Sequence, residues 1–226
     1  MIIRAVQKLS VVDYPGLLCA TVFTPGCNLR CPFCHNGSLV LGDEPNVEEQ
    51  VVFDFLKTRI NKLDAVCLSG GEPLLQKDVC RFFEKVKALG FKTKLDTNGT
   101  KPQRLKEVLE SGLVDYVAMD IKNSPAKYAE TVGAEVFNLT PVYESIELLK
   151  SSCVPHEFRT TVTKTFHDTN SLKEAAQMIE GAPVWYLQTF RESENIIDPS
   201  VKGYSEEEMK GFLNELEGCV PKIILR

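Results

Sequence analysis

The sequence predicts an α/β fold built on a parallel sheet, and three observations carry that expectation. Six short β-like runs, at 18–23, 65–69, 92–96, 116–120, 157–162 and 184–188, alternate with stretches of helical periodicity at 48–60, 77–89, 102–110, 143–150 and 171–179. Each run ends near a residue type that can serve a ligand, as happens where parallel strands collect function at their carboxyl ends. The chain has 226 residues, 43% of them hydrophobic, which is enough for one substantial core. Six βα units are too few for a closed eight-stranded barrel, so the expected fold is an incomplete (β/α)6 TIM-like barrel with parallel strands. One domain is expected over 1–226, with its core at about 16–190 and a C-terminal helix and tail at 205–226.

Local signals support individual elements in chain order. The run LCATVF at 18–23 leads into a cysteine-rich loop, and AVCLS at 65–69 leads into a pair of glycines. Gly90 follows the helical stretch 77–89, where a glycine favours helix termination. Thr100 and Pro102 mark the start of the next helix, since proline suits a first helical turn. The strands at 92–96 and 116–120 close on LDTNG and AMDIKN, and those at 157–162 and 184–188 contain EFRTTV and VWYLQ. Ser205, with Glu208 three residues on, forms a capping-box pattern for a last helix over 206–216. The apolar run VPKIIL near the end is expected to cap the open end of the sheet.

Composition narrows the function classes. A formal net charge of −5, with no basic run of five or more, argues against a nucleic-acid partner, because phosphate contacts need clustered Lys and Arg. No apolar stretch reaches membrane-spanning length, and the first residues lack the apolar core of a signal peptide, so a cytoplasmic protein without a membrane partner is expected. In that compartment thiols stay reduced, and eight cysteines read as metal ligands or small buried hydrophobes rather than disulfides. Cys19, Cys67, Cys80, Cys153 and Cys219 are scattered singly and read as packing residues.

The remaining three are packed into eight residues. Cys27, Cys31 and Cys34, in GCNLRCPFCHN, have C-x3-C-x2-C spacing that lets one loop aim three thiolates at a single centre. His35 adjoins Cys34, so a structural zinc clip of three cysteines and one histidine is one reading. Adjacent residues rarely share one tetrahedral ion, however, and no second cysteine pair follows. An iron–sulfur cluster is the other reading, and with three of its usual four cysteines it keeps one iron open.

This loop after a first strand resembles the signature of the radical S-adenosylmethionine superfamily. The resemblance implies a [4Fe–4S] cluster whose open iron is chelated by the amino and carboxylate groups of S-adenosylmethionine. One electron then cleaves that cofactor, and the resulting 5′-deoxyadenosyl radical abstracts a hydrogen atom. Other segments match in the right order. SGGEP, Ser69 to Pro73, resembles the segment that binds the cofactor's amino group, which implicates Gly70, Gly71 and Glu72. Phe33 resembles the aromatic packed near adenine. Asp96, Thr97, Asn98, Asp120 and Lys122 resemble strand-end residues of the glycyl-radical-enzyme activating family, and Arg159 resembles an arginine near the cofactor carboxylate. One departure lies at the sixth strand, where formate-lyase activases carry Pro-Phe-His and this chain reads LQTFR. Gln188 stands there as a candidate adenosine contact. His35 reads equally as a family residue or as a loop residue, and His156 and His167 read as structural or exposed.

The amino-terminal KLSVVDYPG, followed by TVFTPGCNLRCPFCHN, is similar to the short activating proteins of anaerobic ribonucleoside-triphosphate reductase, over about residues 8–188. The resemblance implies an enzyme that installs a glycyl radical on that reductase, with flavodoxin or ferredoxin as electron donor and no catalytic residues beyond the cluster ligands. Asp13 and Tyr14 match a segment that the family places near the partner's entering glycyl loop, and a plain turn around Pro15 and Gly16 is the other reading. Three alternatives stay open: activation of a pyruvate formate-lyase type of enzyme, a small-molecule substrate, and a zinc-clipped binding module.

Overall fold

The computed structural model describes residues 1–42 and 45–226. Its centre is an eight-stranded sheet with strands side by side in chain order: β1 (Ala5–Ser10), β2 (Cys19–Thr24), β3 (Ala65–Gly70), β4 (Lys92–Thr97), β5 (Tyr116–Asp120), β6 (His156–Val162), β7 (Trp185–Thr189) and β8 (Ile223–Leu225). β1 is antiparallel to β2, and every later neighbour pair is parallel. Helices fill the crossovers that parallel pairing requires. α1 (Gly37–Leu41) and α2 (Glu49–Lys57) join β2 to β3, and α3 (Val79–Ala88) and α4 (Pro102–Glu110) follow β3 and β4. α5 (Tyr128–Thr131) and α6 (Thr140–Ser151) link β5 to β6, and α7 (Thr169–Met178) and α8 (Glu206–Glu215) complete the series. β1 and β8 are not paired with each other among the described residues, so the barrel is open.

The six expected strands are β2 to β7, and the expected helices are α2, α3, α4, α6, α7 and α8. Their ends follow the local chemistry. Ser205 accepts from the backbone N–H of Glu208 at 3.2 Å, while Glu208 accepts from that of Ser205 at 2.7 Å, closing the capping box of α8. α3 buries Val79, Phe82, Phe83 and Val86, one helical face, against the sheet. β1, α1, α5 and β8 were not expected. β1 is half exposed and carries no hydrophobic alternation, while α1, α5 and β8 are too short to show a period. The tail, expected to cap the sheet, adds β8 along the edge of β7.

Alternation along the strands divides the sheet into two chemistries. Val66, Leu68, Leu95, Val117, Met119, Phe158 and Leu187 join the helices in the main apolar core. The concave inner face is polar. Thr21, Cys67, Lys94 and Tyr116 are paired in turn across one row of it. At the strands' amino ends Tyr14, 6% exposed, packs with Cys19, Ala65 and Cys67, its ring 5.5 Å from that of Tyr116. Asp13 accepts from Thr21 Oγ1 at 2.5 Å. Tyr14 therefore closes the barrel floor at the end opposite the cysteine loop. No described helix is long and apolar enough to cross a membrane.

Tyr14→Ala is expected to cost about 3 kcal/mol by emptying this floor. Thermal unfolding should fall by roughly 6–12 °C; an unchanged melting temperature would mean that the ring does not hold the floor together.

Candidate active site

The cysteine loop leaves the carboxyl end of β2 and is tied down on every side. The backbone N–H of Gly26 donates to Leu39 O at 3.0 Å, that of Arg30 to Val132 O at 3.0 Å, and that of Cys34 to Cys31 O at 3.0 Å. Residues beyond β7 strap across it: Asp198 N–H donates to Pro32 O at 2.9 Å, and Gly37 N–H donates to Asn195 O at 3.1 Å. His35 Nε2 meets the carbonyl of Arg191 at 2.5 Å, and its ring lies 5.1 Å from Phe190. Cys27, Cys31 and Cys34 all line one cavity that opens to solvent. Burial raises the pKa of Cys27 and pushes that of Cys31 up to about 12. Binding a metal group there must therefore release protons.

Strand ends supply the opposite wall. Lys94, Asp96, Arg159, Asp120 and Lys122 form a chain of alternating charge across β4, β5 and β6. Asp96 accepts from Lys94 Nζ, from Ser69 Oγ at 3.0 Å and from Arg159 at 3.1 Å. Arg159 Nε donates to Asp120 at 2.9 Å, and Lys122 Nζ donates to the other Asp120 oxygen at 2.8 Å. Burial alone would raise the pKa of both aspartates, but the Arg159 guanidinium, with Lys94 at Asp96 and Lys122 at Asp120, holds both below the usual carboxylate range. Burial likewise disfavours the Lys122 ammonium, yet Asp120 holds its pKa above the ordinary lysine value.

The glycine segment joins these walls. Gly70 has φ +119°, and a Cβ there would meet the backbone of Thr24 at 2.4 Å. A Cβ on Gly71 would sit 1.8 Å from Gly26 O. Only bare backbone fits, and it lets Gly71 N–H donate to Thr24 O at 3.0 Å and Glu72 N–H donate to Gly26 O at 2.8 Å. Glu72 was expected at the cofactor. Its carboxylate is instead fully buried and accepts from Leu74 N–H at 3.0 Å, Thr97 Oγ1 at 2.9 Å and Asn98 N–H at 2.7 Å. Those donors turn it away from the cavity. Gln188 is the second residue outside the lining: Thr161 lines the cavity and donates to Gln188 Oε1 at 3.5 Å.

Phe33, Gly70, Gly71, Asp96, Asn98, Asp120, Lys122 and Arg159 line the cavity with the three cysteines. Phe33 is 3% exposed, its ring 6.0 Å from Phe166. Asn98 spans two walls, with Nδ2 3.7 Å from Cys27 Sγ and 3.1 Å from Asn28 Oδ1. His35 lines the cavity as well. Four contributors escaped the sequence reading in these roles: Lys94, Ser69, Asn36 and His167. Asn36 donates to Gly70 O at 3.0 Å. Buried His167, its pKa pushed down to about 4 by desolvation, accepts from Thr163 N–H and donates through Nε2 to Lys122 O at 2.8 Å. The alternation of KTKLDT puts Lys94 on the same face as Asp96, which is the one signal that marked it.

The donor set, three thiols of one loop on one cavity, fits a thiolate-held metal group. Three thiols face a single cavity, yet among the described residues no three His, Cys, Asp or Glu side chains are gathered closely enough to hold one metal ion. Leu29 N–H and Asn98 Nδ2 point at Cys27 Sγ from 3.4 and 3.7 Å, the outer contacts that orient a ligating thiolate.

The family model described as the radical SAM superfamily matches residues 21–180. The chain belongs to this superfamily. Its cofactors are therefore a [4Fe–4S] cluster and S-adenosylmethionine, and it is an enzyme of oxidoreductase type. A Methanocaldococcus jannaschii protein provisionally named a glycyl-radical enzyme activating enzyme is 35% identical over 84% of this chain and 80% of its own length. A pyruvate formate-lyase-activating enzyme of Listeria monocytogenes is 36% identical over 56% of this chain and 55% of its own length. The chain thus spans about half of that relative. Among solved structures, a domain of a pyruvate-formate lyase-activating enzyme from Bacteroides vulgatus aligns with TM-score 0.59 at 17% identity, covering 72% of this chain and 99% of that one. Streptococcus suis SuiB bound to S-adenosylmethionine aligns with TM-score 0.68 at 14% identity, covering 91% of this chain and 51% of that one. Both share the open parallel barrel.

Glu72 gives the site a pH signature. Burial raises its pKa from 4.5 to about 7 against the pull of its three hydrogen bonds. The folded chain therefore binds this proton more tightly than the unfolded chain. The associated stabilisation is complete below pH 4.5 and is lost as the pH rises through about 7. The stability of the wild type relative to Glu72→Gln, measured by urea unfolding, should decline across that window; a difference that rises with pH would mean that the carboxylate is the favoured buried form.

Proposed function

We propose that this protein uses S-adenosylmethionine to install a glycyl radical on a large partner, and that the partner is anaerobic ribonucleoside-triphosphate reductase. The observation that carries this reading is one cavity lined both by three cysteines of a single loop and by the buried charge chain at the strand ends. The whole chain of 226 residues acts as one radical S-adenosylmethionine domain.

Cys27, Cys31 and Cys34 would hold three irons of the cluster and leave the fourth open to the cofactor. When bound, that cluster would supply the electron for reductive cleavage of S-adenosylmethionine to methionine, and the adenosyl product would serve as acceptor for a hydrogen atom from the Cα of the partner's glycine. Arg159 and Lys122 would receive the cofactor's carboxylate as charge-assisted donors, and the backbone at Gly70 and Gly71 would approach its amino group. Phe33 would pack near the adenine, Asp120 would orient Lys122, and Gln188 would act behind Thr161 rather than on the adenosine directly. A partner's backbone supplies the hydrogen, so no acid–base pair is needed on this chain. The electron would come from a flavodoxin or ferredoxin.

KLSVVDYPG and the absence of Pro-Phe-His at β7 favour the reductase as partner. Activation of a pyruvate formate-lyase type of enzyme is the second reading, favoured by the identity to the Listeria activase.

Anaerobic reconstitution with iron and sulfide, followed by reduction with S-adenosylmethionine, should yield 5′-deoxyadenosine. Adding the anaerobic reductase should produce a glycyl-radical doublet in electron paramagnetic resonance, and Cys31→Ala should lose both signals. A doublet on formate-lyase alone would move the assignment to the second reading. 5′-Deoxyadenosine without a doublet on either enzyme would contradict partner activation.

A further inference from the structure

Lys94 is the cation that the proposed chemistry leaves unused. It is fully buried in the middle of β4, below the cavity, and does not line it. Its Nζ bonds Asp96 Oδ1 and lies 3.9 Å from Cys67 Sγ. An ammonium buried in a barrel costs several kcal/mol in lost hydration unless a partner compensates. Asp96 is that partner, and Asp96 does line the cavity.

The charge balance of the chain depends on this lysine. Three cations, Lys94, Arg159 and Lys122, face two anions, Asp96 and Asp120, while the buried Glu157 beside them is paired with Arg226 at 3.4 Å, which leaves the row one positive charge in excess. Without Lys94 the two remaining cations would be matched by the two carboxylates. Arg159 would then have to neutralise Asp96 alone. With Lys94 in place, Asp96 takes donors from Lys94, Ser69 and Arg159, leaving little acceptor capacity for the cavity. Asp120 takes one donor from Arg159 and one from Lys122, and Lys122, with three donors, has one of them on Asp120.

We infer that Lys94 is a positioning residue that neutralises Asp96 from beneath, so that Arg159 and Lys122 present a net positive charge to the carboxylate of S-adenosylmethionine. The inference rests on the proposed use of the cavity as the cofactor site. It makes this site selective for a ligand with a carboxylate, through a residue that the ligand does not touch.

The test is equilibrium binding to the anaerobically reconstituted holoenzyme, with S-adenosylmethionine and its decarboxylated analogue as probes. In Lys94→Met the dissociation constant for S-adenosylmethionine should rise on the order of tenfold, while that for the more cationic decarboxylated analogue should not rise and the iron content should stay unchanged. In Lys94→Ala added methylamine should restore discrimination between the two probes by supplying the missing ammonium. Equal weakening of both probes, unchanged binding of both, or failure of methylamine to restore discrimination would overturn the role of Lys94. If the wild-type holoenzyme bound neither probe, the reading of the cavity itself would fail.

Discussion

The backbone of Gly71 lies against the carbonyl of Gly26 so closely that no side chain can stand between them, and the rest of the site depends on that approach. It sets the carboxyl end of β3 beside the start of the cysteine loop. The adjoining Glu72 extends the connection to β4 by accepting from Thr97 and the Asn98 backbone. Asn98 in turn reaches Cys27 Sγ. A chain of short contacts thus runs from one strand end through a second to a candidate cluster ligand. Parallel strands put these segments at one end of the sheet, and the glycine pair brings them within hydrogen-bonding distance.

Charge provides the second level of organisation. Five charged groups stand in this row, Lys94 and Asp96 buried and Arg159, Asp120 and Lys122 half-buried, and each alone would be destabilising because it loses hydration. Alternation of sign removes most of that cost and fixes Asp96, Arg159 and Asp120 each between two neighbours, with Lys94 and Lys122 at the ends. What remains is a rigid row with one excess positive charge, facing a loop of thiols across the cavity. Rigidity of this kind suits a site that must hold a reactive group in place, since the orienting contacts exist before the ligand arrives. The floor is closed separately by Tyr14 and its neighbours, which leaves the carboxyl end and the open side of the barrel as routes into the site.

The strands and helices that build the barrel were legible because each carries a period, and the cysteine loop was legible because its spacing has few other uses. β1 and β8 were not, since an exposed strand and a three-residue strand carry little pattern. Site residues divide in the same way. Asp96, Asp120 and Lys122 stand at or just beyond strand ends, where position alone suggests a ligand, and Arg159, midway along β6, is paired with Asp120. Glu72 lies in the same kind of position, but its burial under three donors turned it into a brace, and no feature of SGGEP foretells which way a carboxylate points. Lys94 was hidden by its neighbour: Lys92 on the same strand is exposed, so the segment reads as a solvated edge. His167, expected to be structural or exposed, is buried, and its hold on the Lys122 carbonyl is a long-range contact that sequence spacing does not encode.

The cysteine loop and the charged row line one cavity and would together serve one ligand assembly. A crystal structure of the anaerobically reconstituted protein with S-adenosylmethionine tests it most directly. It should show a four-iron cluster on Cys27, Cys31 and Cys34, with the cofactor's amino and carboxylate groups on the fourth iron and its carboxylate also facing Arg159 and Lys122. A single zinc ion on the loop, or a cofactor seated away from the charged row, would contradict it.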